Sequence, residues 1–368
     1  MITWREGTVR GRVGGWAGVL ELEVDTAEGT VRSLAYPDVV GAPEPGDRVL
    51  LNVTALERGL GTGGYAVVVA VPDRPDLWPT VDRAAPGHLV KARYTPMQTT
   101  VLGVDDPEGE HHALLVDADD LDGLPVVAAD LHSALPAVVA GVRAQRADLR
   151  IAYVMTDGGA LPAAFSRTCA ELRAAGWLTS VITAVQAYGG DLEAVTVHSA
   201  LLAARHVVGA DLAVVVQGPG NLGTGTRWGF SGVSAGEALN AAAVLGGRPV
   251  ASLRVSEADP RPRHRGLSHH SSTAYGRVLA HPAEVPVPAG RTGRPTTDSC
   301  LQDVREQVAR LADRAPHLRP VDVPVDQLMD VLADVPTRLR TMGRGLEEDA
   351  ASFLAAAVAG VLAARPTA

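Results

Sequence analysis

The densest chemistry in the chain lies between residues 261 and 270, where Arg261, Arg263, His264, Arg265, His269 and His270 crowd into an otherwise acidic sequence. Guanidinium groups fork onto carboxylate or phosphate oxygens, and imidazoles titrate near neutrality, where they serve as general acid or base. Imidazoles also ligate divalent metals, for which Asp157 and Asp191 are the nearby carboxylate candidates. Against metal binding, adjacent His269 and His270 share one ion awkwardly in a regular strand, and the spacing His-x4-His-His matches no standard site. The plainer reading is an exposed polar loop whose histidines cap a helix over Ser271 to Leu279.

A second concentration is the glycine-rich stretch Gln217 to Arg227. Closely spaced glycines let main-chain N–H groups turn inward around an anion, so Gly218, Gly220, Asn221, Gly223, Thr224, Gly225, Thr226 and Arg227 are candidate ligand-binding residues, joined by Arg263, His264 and Arg265. His269, His270 and Asp157 are the candidate catalytic residues. Asp157, before Gly158-Gly159, reads equally well as a turn that caps the following helix.

Familiar motifs fail in this region. Gly218, Gly220 and Gly223 spell GxGxxG, yet the next helix starts only near Ser234, and the acid Glu257 comes too late for a dinucleotide fingerprint. A phosphate loop of the Walker kind would need a lysine where Thr224 or Thr226 stands. Gly232-Val-Ser234-Ala-Gly236 spells a nucleophile elbow, but no strand runs into it, and Ser234 reads better as a helix N-cap.

Loops of this kind need strands to hold them. Near-continuous apolar runs at Leu124 to Ala129, Leu149 to Met155, Leu178 to Val185, Leu212 to Val216 and Pro249 to Val255 alternate with Ala-rich stretches of helical period, as in parallel strands covered on both faces. The expected fold is α/β: a doubly wound, mostly parallel sheet over residues 124–296, where ligands bind outside the carboxyl ends of the strands. Residues 1–72 read as five short strands forming a small β-barrel domain. Residues 73–123 read as a Pro-rich linker (Pro72 to Pro86), two further strands (Leu89 to Tyr94 and Thr99 to Val104) and a solvated acidic turn holding His111 and His112. Residues 297–368 read as C-terminal helices, with Leu354, Val358, Val361 and Leu362 on one face that packs on this chain or on a second copy. His198 and His206 read as packing or surface residues.

Composition narrows the function. The 368 residues carry a net charge of −9, so no nucleic-acid partner is expected. No run of ~18 apolar residues suggests a membrane span, and Met1 to Glu6 lacks the apolar stretch of a signal peptide. With Cys169 and Cys300 the only cysteines, a cytoplasmic location is expected. Lys91 is the only lysine and sits in no Gly-rich loop, which leaves lysine Schiff-base chemistry one candidate at most.

At Met155 to Pro162, Gly218 to Thr226 and Arg263 to His270, in that order, the chain resembles a bacterial family labelled only as a domain of unknown function, number 3866. The resemblance implies an intracellular bacterial protein and brings no activity, cofactor or catalytic residue. The function expected from the residues is therefore an enzyme, a hydrolase or transferase, acting on a small anionic or phosphorylated metabolite. A divalent metal is the one cofactor considered, and homo-oligomerisation is left open. The alternatives are a non-catalytic sensor using the same loops and, more remotely, an NAD-binding oxidoreductase.

Overall fold

The computed structural model describes residues 2–60, 63–77, 85–157 and 159–366. They divide into two compact units, Met1–Ala85 with Ala164–Ala170, and Pro86–Ala163 with Glu171–Ala368. Parts of the expected Gly61 to Gly64 turn and of the Pro72 to Pro86 linker, and Gly158, lie outside the described residues.

The first unit is a closed barrel of five strands: β1 (Trp4–Trp16), β2 (Val19–Thr26), β3 (Gly29–Ala35), β4 (Arg48–Asn52) and β5 (Ala66–Ala70). They are ordered β1-β2-β3-β5-β4 and closed by β1 against β4. Among the described pairs of the barrel, β3 and β5 run parallel and the others antiparallel. Alternate residues point inward, and Val9, Leu22, Val24, Val49, Leu51 and Val68 form the core. The distant segment 164–170 belongs here because the Trp16 indole N–H donates to the Ala164 carbonyl at 2.6 Å and Arg167 lies 4.4 Å over the Trp16 ring.

The second unit begins with an antiparallel hairpin, β6 (Leu89–Lys91) and β7 (Thr99–Val101). Its main body is an eight-stranded sheet of β8 (Pro125–Ala129), β9 (Ile151–Asp157), β10 (Ser180–Val185), β11 (Leu192–Ala194), β12 (Leu212–Gln217), β13 (Arg248–Ala251), β16 (Ala283–Ala289) and β17 (Leu318–Pro324). Between β13 and β16 the chain inserts a small antiparallel pair, β14 (Val255–Ser256) and β15 (Gly266–Leu267). The sheet order is β11-β10-β9-β12-β8-β13-β16-β17, and every adjacent pair is parallel.

The order reverses at the centre. From β8 the chain crosses over β12 to reach β9, whereas from β12 it crosses over β8 to reach β13. Connections leaving in opposite directions open a crevice at the carboxyl ends of β12, β8 and β13.

Lys91, fully buried, fastens the β6 hairpin to the far edge of this sheet. Its ammonium donates to the carbonyls of Ala187 (2.8 Å) and Val185 (3.1 Å) and pairs with the Glu193 carboxylate at 3.3 Å. Burial lowers the Lys91 pKa and raises that of Glu193.

The final helix, Ala350–Ala363, is buried on every side and packs against helix Leu135–Gln145 within the same unit. Glycines set the closeness of that contact. A Cβ on Gly141 would lie 1.9 Å from the Ala357 carbonyl oxygen, and one on Gly360 would lie 1.9 Å from that of Val138. The contact anchors the C-terminal segment beside the central strands. Among the described residues no helix is long and apolar enough to cross a membrane.

Candidate functional site

The loops that leave β8, β12 and β13 converge. Asp130 follows β8 directly, and its side chain is buried. Strand β13 ends at Ala251, earlier than its apolar run suggests, and this brings Arg254 round to the Asp130 carboxylate. Their closest approach, Arg254 Nη1 to Asp130 Oδ2, is 3.2 Å. The β14–β15 pair then carries Arg261 to His264 over the crevice. Ser268 accepts a hydrogen bond from the His270 backbone N–H and so starts helix His269–Thr273, two residues earlier than its sequence suggests. Both adjacent histidines therefore lie in a first helical turn, with ring centroids 4.5 Å apart at 72°. The objection drawn from strand geometry does not apply.

His270 sits at the middle of this arrangement. Its Nδ1 is 3.0 Å from Asp130 Oδ2 and 2.8 Å from Arg254 Nη1, and its ring stacks on Phe230 at 3.7 Å and 10°. One nitrogen cannot donate to Asp130 and accept from Arg254 at once, so the tautomer decides which contact is a hydrogen bond. Burial alone would raise the Asp130 pKa. The His270 contact and the Arg254 charge outweigh it and hold the carboxyl below the ordinary range.

His264 is buried, with Nδ1 2.8 Å from Ser268 Oγ. Its ring lies 5.0 Å from that of His269 and 4.9 Å from that of His270. Desolvation, reinforced by the nearby cationic groups, pushes His264 down to about 3 and His269 to about 4. Both rings are neutral at pH 7.

The glycine-rich loop and the His/Arg cluster face one another across a cleft of about 130 Å³, lined among others by Asn221, Gly223, Gly225, Arg254, Arg261, Arg263, His264 and His270. A Cβ on Gly225 would lie 3.4 Å from the Arg263 guanidinium, and Gly225 itself has a φ of +81°. Glycine is thus the residue that permits the approach.

Much of the loop is spent on its own architecture. Gly223 bridges Phe230, the Thr224 N–H donates to the Gly229 carbonyl at 2.7 Å, and Thr226 Oγ1 accepts from the Gly229 N–H at 3.1 Å. Gly218 hydrogen-bonds Thr156 and packs where a Cβ would meet Met155 and Leu161. Gly220, with a φ of +105°, turns the chain. Arg227 and Arg265 are exposed, and neither lines the cleft. Asp157 holds its own turn. Its Oδ2 accepts the backbone N–H groups of Gly159 and Leu161, both at 2.7 Å, and it does not line the cleft either. Asp191 is likewise committed, to Arg173 and to the Val181 N–H.

The nucleophile-elbow spelling resolves into packing. A Cβ on Gly232 would lie 2.6 Å from Asp130 Cβ, and one on Gly236 would lie 2.2 Å from the Ala274 carbonyl oxygen. Ser234 opens helix Ser234–Val244 and donates its hydroxyl to the Ser231 carbonyl. The two glycines let Asp130 and the histidine helix close in.

Asp130, Arg254 and Phe230 do not stand out in the sequence, and neither does a supporting network from the C-terminal segment. Buried Asp349 accepts from Ser256 Oγ (2.6 Å), Arg344 Nε (2.8 Å) and the Glu257 N–H (2.9 Å). Buried Asp259 grips Arg261 through two bonds of 2.9 and 2.8 Å. That pairing drives the Asp259 pKa far down and aims Arg261 at the cleft. The signal available for Asp130 was its place as the first acid after an apolar strand.

No curated protein and no solved structure matches the chain. A family model described as "Protein of unknown function (DUF3866)" matches residues 32–360, and the chain belongs to that family.

Proposed function

We propose that this protein is an enzyme, a hydrolase or transferase, acting on a small anionic or phosphorylated compound bound in the cleft between the glycine-rich loop and the His/Arg cluster. The observation that carries this reading is the lining of that cleft: three guanidinium groups, Arg254, Arg261 and Arg263, with two imidazoles, His264 and His270, at the switch point of a parallel sheet. Arg254 and Arg261 are each held by a buried carboxylate, Asp130 and Asp259. Fixed cations of this kind stabilise charge that develops on a reacting anion without reorganising at that moment. Arg263 has no such anchor among its described contacts and stands over Gly225, where a ligand would be clamped.

The test is a turnover screen of the purified chain against phosphomonoesters, phosphodiesters, nucleotides and carboxylic esters. Wild type is compared with Arg263→Ala, and product release is followed. The reading expects turnover of at least one anionic class and its loss by about 10-fold or more in the variant, since a charged hydrogen bond contributes about 1.5–3 kcal/mol. Turnover of neutral esters alone, unaffected by Arg263→Ala, contradicts it.

A further inference from the structure

The three histidines have an arrangement that acid–base chemistry alone does not require. One ring nitrogen from each of His264, His269 and His270 lies within 4.8 Å of the others. A tetrahedral zinc site with bonds of about 2.0–2.1 Å spaces its ligands about 3.4 Å apart, so the ring nitrogens need to close by at most about 1.4 Å. Two of them are already oriented from behind. Ser268 Oγ engages Nδ1 of His264, and Asp130 Oδ2 engages Nδ1 of His270, which leaves Nε2 of each ring directed elsewhere. A carboxylate or hydroxyl behind a histidine is the usual means of fixing the tautomer and angle of a metal ligand.

The third ring supplies an independent sign. Nε2 of His269 is buried and has no hydrogen-bond partner among the described residues. Leaving a buried polar nitrogen without a partner is unfavourable, and a ligand would account for it.

We propose that His264, His269 and His270 bind one divalent transition-metal ion through their Nε2 atoms, with the open coordination positions facing the cleft. An all-imidazole set favours zinc, cobalt, nickel or copper over magnesium or calcium, which demand oxygen ligands. A His₃ set that leaves a position open is the catalytic rather than the structural pattern. In the cleft the ion would polarise an anion oxygen or a water molecule.

Two consequences follow from the contacts. Ligation through His270 Nε2 fixes the proton on Nδ1 for Asp130, so Arg254 must give up its 2.8 Å approach to Nδ1 and rest on Asp130 alone. The ion also joins three guanidinium charges that Asp130 and Asp259 only partly offset. Metal and anion should therefore strengthen each other's binding, a point that rests on the cleft reading above.

The experiment strips the full chain with a chelator, adds Co²⁺ with no anion present, and follows visible ligand-field absorption and cobalt per chain. The expected result is one Co²⁺ per chain, displaced by Zn²⁺ but not by Mg²⁺, with affinity about 10–100-fold weaker in Asp130→Asn. His269→Ala should abolish the spectrum. X-ray absorption on the cobalt-loaded wild type counts imidazole ligands without any variant, so the proposal remains testable even if a substitution fails to fold. Three imidazoles support it, whereas fewer than three, or a spectrum unchanged in His269→Ala, overturns it. Because no anion is added, failure of the substrate screen would leave this result standing, and the reverse also holds.

Discussion

Replacing Asp130 by Asn removes the one negative charge that Arg254 and His270 share while nearly keeping its shape. The side chains of Asp130 and Arg254 are 6 % and 8 % exposed, so solvent cannot replace the lost partner. Breaking a buried pair of this kind costs about 3–5 kcal/mol, because the remaining charge stays desolvated. At about 2 °C per kcal/mol for a unit of this size, the melting midpoint at pH 7 should fall by about 6–10 °C. The pH dependence carries a sign. The folded pKa of Asp130 is lowered, so its contribution is complete above the unfolded value of about 3.9 and is lost as pH falls through the folded pKa. The deficit of Asp130→Asn relative to wild type should stay level from pH 7 to about 5 and shrink only below about 4. Urea unfolding followed by circular dichroism across that range measures it. A variant within 1 °C of wild type at pH 7, or a deficit that already shrinks near pH 6, would refute the reasoning.

Four further outcomes are expected. His264 and His269, held neutral with values of about 3 and 4, should make the folded state lose stability as pH falls from about 6.5 towards 4, and His264→Gln should flatten that slope in urea titrations. Gly360→Ala should cost about 1–3 kcal/mol or more by forcing the terminal helix off helix Leu135–Gln145, and a thermal midpoint equal to wild type would contradict the packing. Lys91→Met should destabilise by about 3–5 kcal/mol through the stranded Glu193, and adding Glu193→Gln should recover much of that loss in a double-mutant cycle. Asp349→Ala should weaken anion binding without touching the cleft, because it loosens the loop that carries Asp259 and Arg261; unchanged affinity would detach that network from the site.

The central strands were legible because parallel strands buried on both faces read as unbroken apolar runs, as at Leu212–Gln217. The outer pair was not. Strand β16 carries Pro286 and Pro288, β17 carries Pro320 and Pro324, and proline normally speaks against a sheet interior. The structure accommodates those of β16 because β13 pairs with β16 only at Val250 and Glu284, before the prolines begin, and those of β17 because that strand is the edge of the sheet. The place of the cleft was legible for a similar reason, since glycines and arginines collect where strands end. Its internal wiring was not. Asp130 and Arg254 are 124 residues apart, and a lone acid after a strand looks like any turn until the sheet order sets it beside β13. Asp157, next to glycines, read equally well as a ligand site or as a turn cap, and its Oδ2 accepts two backbone N–H groups. Local sequence does not distinguish a carboxylate that caps a turn from one that holds a histidine.

The central claim is that one cleft, bounded by Gly225 and by Arg254, Arg261 and Arg263, receives an anion. Crystals soaked in tungstate, a heavy oxyanion whose position is read from anomalous scattering, test it most directly. The account predicts a peak between the glycine-rich loop and the histidines, with tungstate oxygens at about 3 Å from the Arg261 and Arg263 guanidinium nitrogens. An empty cleft, with tungstate found only beside exposed arginines such as Arg291 and Arg305, would contradict it.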